Sequence, residues 1–399
     1  MKFFKNKQVL LTPLIAFAIL LIFSLTLFPS VQPQPKNLPV AIVNEDQGVE
    51  LPNQPKMNIG ETMVDMMQDR ISTDDEAPVV KWVEVETEED AKKGMDNQQY
   101  YAAFVIPKEF SAKQASLQSP SPSSPEVRIY INQGMNTAAA TMAGQLLHSM
   151  VENMNNQVRT QLLDGFEQQG VTLTTAQARS IANPIAKTVT NVNEIGTNSV
   201  NGNAPVSLFQ PLWMASIASA AILFMAVRKI SVANRKESLM AKSAQVLMGA
   251  IIAPLIGFGL TWLADALIGL NIPSFLDIAL FLSITSFSFY LLISAVLSLL
   301  GFRGIPIFVL LLFFGAPLLA MAPEMMSAFY RDWIYSWLPM RFMTEGLREL
   351  FYFENSLSWN SQVASLVWIG VVSMIILLLS SLKGSKDALT SQPALKTNS

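Results

Sequence analysis

Apolar residues along this chain follow two patterns. In six places they run almost without interruption, at residues 9–28, 208–227, 244–264, 278–300, 305–321 and 363–382. Each run has roughly the 17 to 25 residues that a helix needs to cross a hydrocarbon core about 30 Å thick. Between the first run and the second, apolar residues come in short groups broken by polar ones, as in a folded domain surrounded by water.

Within that region, residues 38–43, 79–85, 100–106 and 127–131 predict strands, and the Asn44-Glu45-Asp46-Gln47-Gly48 segment that follows the first is turn chemistry. Residues 59–71 and 88–95 predict short helices, and the Ser/Pro-rich stretch 119–125 a loop. After Gly134 the period lengthens. Met135, Ala139, Met142, Leu146, Met150, Met154, Val158, Leu162 and Phe166 recur every three or four residues and predict one long amphipathic helix. Its apolar stripe is read as packing surface, with a dimer seam as the alternative. Residues 174–189 are expected to continue helical with a kink at Pro184, and 191–203 to form a polar connector.

Charge orients the apolar runs, because Lys and Arg beside spans stay on the cytoplasmic side. Lys2, Lys5 and Lys7 precede the first run, which is read as a retained anchor because it is longer than a leader core and lacks a small-x-small cleavage site. The stretch 228–242 carries Arg228, Lys229, Arg235, Lys236 and Lys242 against Glu237 alone. Arg303 marks the next turn on that side, and Lys383 and Lys386 follow the last run. The segments assigned to the cytoplasm hold 12 bases and two acids. The expectation is a six-span helical membrane protein with both termini cytoplasmic and an extracytoplasmic α+β domain between spans one and two. Its parts are residues 1–29 (tip and first span), 30–207 (external domain), 208–382 (five-span domain) and 383–399 (tail). Residues 323–362 mix Trp333, Trp337, Phe342, Phe351 and Phe353 with Arg331, Arg341, Glu345, Arg348 and Glu349, and fit interfacial or re-entrant helices.

Composition agrees with this class and narrows the chemistry. The chain is 51% hydrophobic and 14% charged over 399 residues. Residues 31–207 hold 21 acids against 12 bases, a net of −9, while the rest nets +6, so the acidic overall balance carries no nucleic-acid signal. The chain has no cysteine and a single histidine, His148, expected on a polar helix face. No cofactor, metal cluster or catalytic triad can be assembled from these. There is no Gly-rich loop ending in Lys-Ser/Thr, no H-E-x-x-H and no G-x-S-x-G, so the chain is expected not to be an enzyme and not to bind ATP in the P-loop manner. The apolar runs also lack the acids that proton- or sodium-coupled carriers keep at membrane depth.

Two candidate sites remain. Ser283, Ser286, Tyr290, Ser294 and Ser298 fall within about 120° of arc on one helix face. That hydroxyl stripe serves either interhelical packing or the wall of a substrate path. The basic stretch, through Arg228, Lys229, Arg235 and Lys236, serves either to set topology and sit on anionic membrane lipid or to dock a soluble partner.

Three segments carry a resemblance. Leu38-Pro-Val-Ala-Ile-Val-Asn-Glu-Asp-Gln-Gly48, Tyr100-Tyr-Ala-Ala-Phe-Val-Ile-Pro-Lys-Glu-Phe-Ser111, and Gly202-Asn-Ala-Pro205 leading into Leu212-Trp213 resemble, in this order, the YhgE/Pip-like (phage-infection-protein-like) family within the type-two ABC exporter permeases. The resemblance implies a permease half in a bacterial plasma membrane. Such a half pairs with itself or with a related permease, and a separate ATP-binding subunit docks near the loop at 228–242. It also implies re-entrant helices at 323–362. The alternative function is a surface receptor or envelope-assembly protein without transport.

Overall fold

The computed structural model describes residues 35–50, 55–69, 78–170, 172–230 and 234–382, with isolated positions between 13 and 24. The first expected span and the tail therefore lie largely outside the described residues. The chain forms two compact units, one comprising Pro33–Ile195 with Met321–Ser327 and the other the remainder.

The first unit is α/β. Five strands, β1 (Leu38–Asn44), β2 (Val80–Val85), β3 (Ala102–Ile106), β4 (Glu126–Asn132) and β5 (Ala186–Val192), form one sheet in the order β2-β1-β3-β4-β5. β1 runs parallel to β2 and β3, β3 antiparallel to β4, and β4 parallel to β5. β1 is buried at all but Pro39 and Asn44 and β3 at every position, as their apolar sequences require, while β4 alternates. Helices α1 (Ile59–Asp69), α2 (Glu88–Asp96), α3 (Phe110–Ser116), α4 (Thr137–Gln169) and α5 (Thr175–Ala182) complete the unit. Ala41, Val43, Ala91, Met95, Ala103, Val105 and Tyr130 make one core cluster.

Two expectations about this unit are corrected. The helix begun at Thr175 stops at Ala182, and residues 186–192 are strand β5, where 186–189 were expected to continue the helix and 191–192 to belong to the connector. Pro184 removes a backbone donor and disfavours helix at the residue before it, and β4 offers a parallel ladder on the far side. Along α4 the expected stripe is buried at Ala139, Leu162 and Phe166, but over the middle of the helix the buried residues are Ala140, Ala143, Gly144, Leu147, Val151 and Asn155, while Met142, Leu146, Met150 and Met154 lie half-buried beside them. Small residues win the sheet side because the approach is close: a Cβ on Gly144 would lie 2.7 Å from Ile131 Cδ1.

The second unit is helical, with α6 (Phe209–Lys229), α7 (Arg235–Trp262), α8 (Phe275–Leu300), α9 (Ile305–Ala320), α10 (Pro339–Tyr352) and α11 (Ser361–Leu379). Among the described residues, four helical stretches are long and apolar enough to cross a membrane: Ala204–Lys229, Arg235–Ile268, Phe275–Ala320 and Ser361–Leu382. The third, 46 residues long, holds two of the expected runs joined by a tight turn at Gly301–Gly304. Trp213 packs against both Phe289 and Phe308, at ring-centroid distances of 4.9 and 6.0 Å. A continuous helix would separate those two residues by roughly 28 Å, so the chain reverses at the turn. Gly301, at φ +65°, provides the backbone for it.

Residues 323–362 do not behave as one piece. Met321–Ser327 belongs to the α/β unit, where the Tyr101 hydroxyl donates to Glu324 Oε2 at 2.7 Å and the Lys36 N–H to the Glu324 carbonyl at 2.9 Å. Two short turns, Phe329–Ile334 and Tyr335–Trp337, then lead into the single helix α10.

Candidate functional site

The basic stretch starts at the end of α6. Arg228 and Lys229 lie in its last turn, where cations complement the helix dipole, and the Arg228 guanidinium sits 5.7 Å from the Phe224 ring centre. After residues 231–233, which lie outside the described set, Asn234 opens α7 by accepting from the Glu237 N–H at 3.0 Å, and its amide donates back to Glu237 Oε1 at 3.1 Å. Arg235 and Lys236 occupy the first two helical positions, where the dipole disfavours positive charge by about 0.3–1 kcal/mol. Helix stability therefore does not explain them. All four candidate docking residues are exposed, beside exposed Ile230, Leu239 and Met240. The result is a mixed basic and apolar platform.

Lys242, about two turns beyond Arg235 along α7, turns inward, and its Nζ donates to Ser298 Oγ at 2.9 Å. This contact begins a seam. α7 and α8 run antiparallel, with Tyr290 OH donating to the Gln245 carbonyl at 2.7 Å, the Tyr290 ring lying over Gly249, and Ser283 meeting Gly257. The hydroxyl stripe of α8 thus faces a stripe of Lys242, Gln245, Gly249, Ala253 and Gly257 on α7. Cβ atoms at Gly249 and Gly257 would lie 2.0 Å from Tyr290 Cε1 and 2.2 Å from Ser283 Oγ, so this approach depends on glycine. Ser283, Ser286, Tyr290 and Ser294 are buried and Ser298 is half-buried. Ser283 Oγ donates to its own helix at the Ala279 carbonyl, 2.6 Å away. Ser286 Oγ and the Gln245 side-chain amide make no hydrogen bond among the described residues. The structure brings the five stripe residues together along one closed helix interface.

α8 is also the hub of its unit. Gly370 of α11 packs on Ser288, Gly346 of α10 on Phe281, and Trp213 of α6 on Phe289. In α10, Arg341 Nε pairs with Glu345 Oε1 at 3.0 Å, Asn360 donates to Glu349 Oε2 at 2.6 Å, and buried Arg348 donates to the Leu319 carbonyl at 3.3 Å.

The α/β unit contains polar groups that sequence reasoning passed over. Asp46, 8% exposed, accepts from the Ser111 N–H at 2.9 Å, the Gly60 N–H at 3.1 Å and the Ser111 hydroxyl. Ser111 Oγ in turn accepts from the Ile59 N–H at 2.8 Å. Asp46 and Ser111 therefore cap α1 together, an anion placed at a helix N-terminus. They come from two of the segments that carry the family resemblance, and membership of those motifs was the available signal. Glu88 collects Lys92 Nζ at 2.6 Å, Arg128 Nη1 at 2.7 Å and the Tyr130 hydroxyl. Burial alone would raise its pKa, but these hydrogen bonds prevail and hold it at about 2. His148 is exposed, as expected, with Lys187 Nζ 2.8 Å from its Nε2. An open cleft of about 720 Å³ beside β1 and α1 is lined by Asp46, Glu61, Asp65, Glu84 and Glu86.

A model of the ABC-2 family transporter proteins matches residues 7–382, nearly the whole chain. This chain belongs to the ABC-2 transporter family. It is a membrane protein of that family, and the resemblance carried by its three motifs holds at the family level. Among curated proteins, the uncharacterized protein YhgE of Bacillus subtilis (strain 168) is 25% identical over 134 residues, which are 33% of this chain and 16% of that protein. The chain's match thus spans about a sixth of that relative's length. Among solved structures, a domain described as belonging to a candidate ABC type-2 transporter of Thermotoga maritima MSB8 aligns at 20% identity with a TM-score of 0.26, covering 38% of this chain and 86% of that one.

Proposed function

We propose that this chain is the membrane-spanning permease subunit of an ABC-type exporter, with six spans, both termini in the cytoplasm and the α/β unit outside. Substrate moves outward on energy from ATP hydrolysed by a separate subunit. The observation that carries this reading is the ABC-2 family match over residues 7–382, in a sequence that has no phosphate-binding loop of its own. A permease of this family implies a partner ATPase. The platform of Arg228, Lys229, Arg235 and Lys236 is the docking surface this reading selects, because its charges are exposed and two of them oppose the helix dipole. The partner would present acidic residues and apolar contacts for Leu239 and Met240.

On this reading the substrate path runs where α8 meets its neighbours. The Ser283 to Ser298 stripe is sealed by α7 in the state described, and hydroxyls exposed by parting that seam would line a polar route. Ser286 and Gln245 favour such a state, since each gains hydrogen bonds on hydration.

The direct test changes Arg235→Glu and Lys236→Glu together. Co-purification of an ATP-binding subunit is expected to fall at least tenfold, as close interfacial charge pairs become repulsive, while membrane insertion stays normal. Unchanged association in the double variant would contradict the docking assignment.

A further inference from the structure

β5 is the strand that closes one edge of the α/β sheet, and it is built differently from the other edge. β2, at the opposite side, carries Lys81 and Glu84, and Glu86 follows it, charges that discourage an incoming strand. β5 reads Ala186-Lys-Thr-Val-Thr-Asn-Val192, and Thr188, Val189, Thr190 and Asn191 are all exposed. Its one charged residue, Lys187, is already neutralised by Glu152 at 2.6 Å. The strand contains no proline and its lysine is engaged by Glu152, so two of the usual protections of a free edge are missing.

The hydrogen-bond pattern fixes which backbone groups are on offer. The Ala186 N–H donates to the Pro125 carbonyl at 2.8 Å, and the Val192 carbonyl accepts from the Gln133 N–H at 3.2 Å. Residues 186, 188, 190 and 192 therefore direct their backbone groups to β4. Lys187, Val189 and Asn191 direct theirs outward, where no further strand of the described sheet lies. Unpaired N–H and C=O groups in a row are a template for strand addition.

We propose that β5 is the pairing edge of a homodimer, in which β5 of a second copy adds antiparallel about a two-fold axis through Val189. Of the two pairings that the family resemblance implies, with itself or with a related permease, this takes the first and assigns a surface to it. The strand is self-complementary in this register. Val189 meets its own counterpart as a hydrogen-bonded pair, and Lys187 exchanges both bonds with Asn191 of the other copy, so all the outward groups find partners and no like charges stand opposite one another. Thr188 falls opposite Thr190, a favourable cross-strand pair. The surface is isologous, as a two-fold dimer requires, and it makes one sheet across both copies. A strand from an unrelated protein would match the backbone equally well but not this side-chain symmetry.

The sequence has no cysteine, so one introduced thiol reports one position. Hydrogen-bonded antiparallel partners have Cα atoms about 5.5 Å apart, within disulfide range. Val189→Cys in the full chain, mildly oxidised in native membranes, is expected to give a linked species of twice the chain mass, while the exposed control Leu163→Cys stays unlinked. Val189→Pro removes an outward N–H and no bond to β4; it is expected to lower the dimer fraction in detergent by roughly tenfold while the β4 amides keep their hydrogen-exchange protection. Three results would overturn the proposal. An unlinked Val189→Cys in a chain that is dimeric in detergent would move the interface elsewhere and leave self-pairing standing. An unlinked chain that is monomeric would remove both. Linkage to a different protein would give the edge to another occupant.

Discussion

The α/β unit and the α7/α8 seam of the helical unit solve the problem of buried polarity in opposite ways. In the α/β unit, carboxylates are withdrawn from water and surrounded by donors: buried Asp46 by Ser111 and Gly60, half-buried Glu88 by Lys92, Arg128 and Tyr130. In the helical unit the α7/α8 seam uses glycine contacts and hydroxyls that fold back on their own helix, with Lys242 contributing a charged side chain near one end. The difference follows from the surroundings. A domain in water can place a carboxylate where several N–H groups converge, whereas helices in an apolar solvent gain most from close backbone approach and from leaving few polar atoms to satisfy.

The contrast can be broken most sharply at Asp46. Asp46→Ala leaves the Gly60 and Ser111 donors buried without an acceptor, a loss of roughly 3 kcal/mol. Hydrogen exchange is expected to accelerate across α1 and α3 while the α7 and α8 amides keep their protection. Equal loss in both units would mean that they are not separately stabilised. Next comes the seam. Gly257→Ala places a Cβ 2.6 Å from the Ala279 carbonyl, a backbone atom with no freedom to move aside, whereas Gly259→Ala, two residues on, meets nothing within 4 Å. The first is expected to cost about 1–3 kcal/mol in detergent unfolding, and the second to be neutral or slightly stabilising, since alanine is the better helix former. Similar effects at both positions would refute a packed glycine seam.

The smallest effect concerns acid. Glu88 has its pKa lowered from 4.5 to about 2 in the folded chain. A depressed carboxylate contributes stability that is complete above its unfolded pKa and is lost as pH falls through the folded one. The α/β unit should therefore weaken between about pH 4.5 and 2 by on the order of 1 kcal/mol from this group, a modest figure because its partners Lys92 and Arg128 are partly in water. In Glu88→Gln that share of the acid dependence should vanish, and an unaltered profile would show that the cluster contributes nothing.

These contrasts also separate what was legible in the sequence from what was not. β1 and β3 are unbroken apolar runs between turn residues, and both lie where that pattern puts them. β5 was hidden because Thr-Val-Thr-Asn-Val is short, half polar and directly follows a helix; only the ladder with β4 makes it a strand. The middle of α4's buried face was misjudged for a related reason, since hydrophobicity favoured methionines over small residues such as Gly144, which the approach of Ile131 requires to be small, although Ala139, Leu162 and Phe166 are buried as their spacing suggests. Asp46 and Ser111 are 65 residues apart, and nothing local announces that pairing. In the helical unit the hydroxyl stripe of α8 was visible in the sequence, but not that it faces the α7 glycines. Their apposition depends on the antiparallel register, which charge-based topology implies only coarsely.

The central claim is that an ATP-binding subunit docks on the basic platform between α6 and α7. It is tested most directly by placing a photoreactive residue at position 235 in the otherwise native chain, irradiating intact membranes and identifying the captured species by mass spectrometry. The account predicts an ATP-binding protein, lost when Lys236 is changed to Glu beside the probe. Capture of lipid or of this chain alone, with position 235 reachable by a soluble reagent, would contradict it and leave the platform as a topology signal.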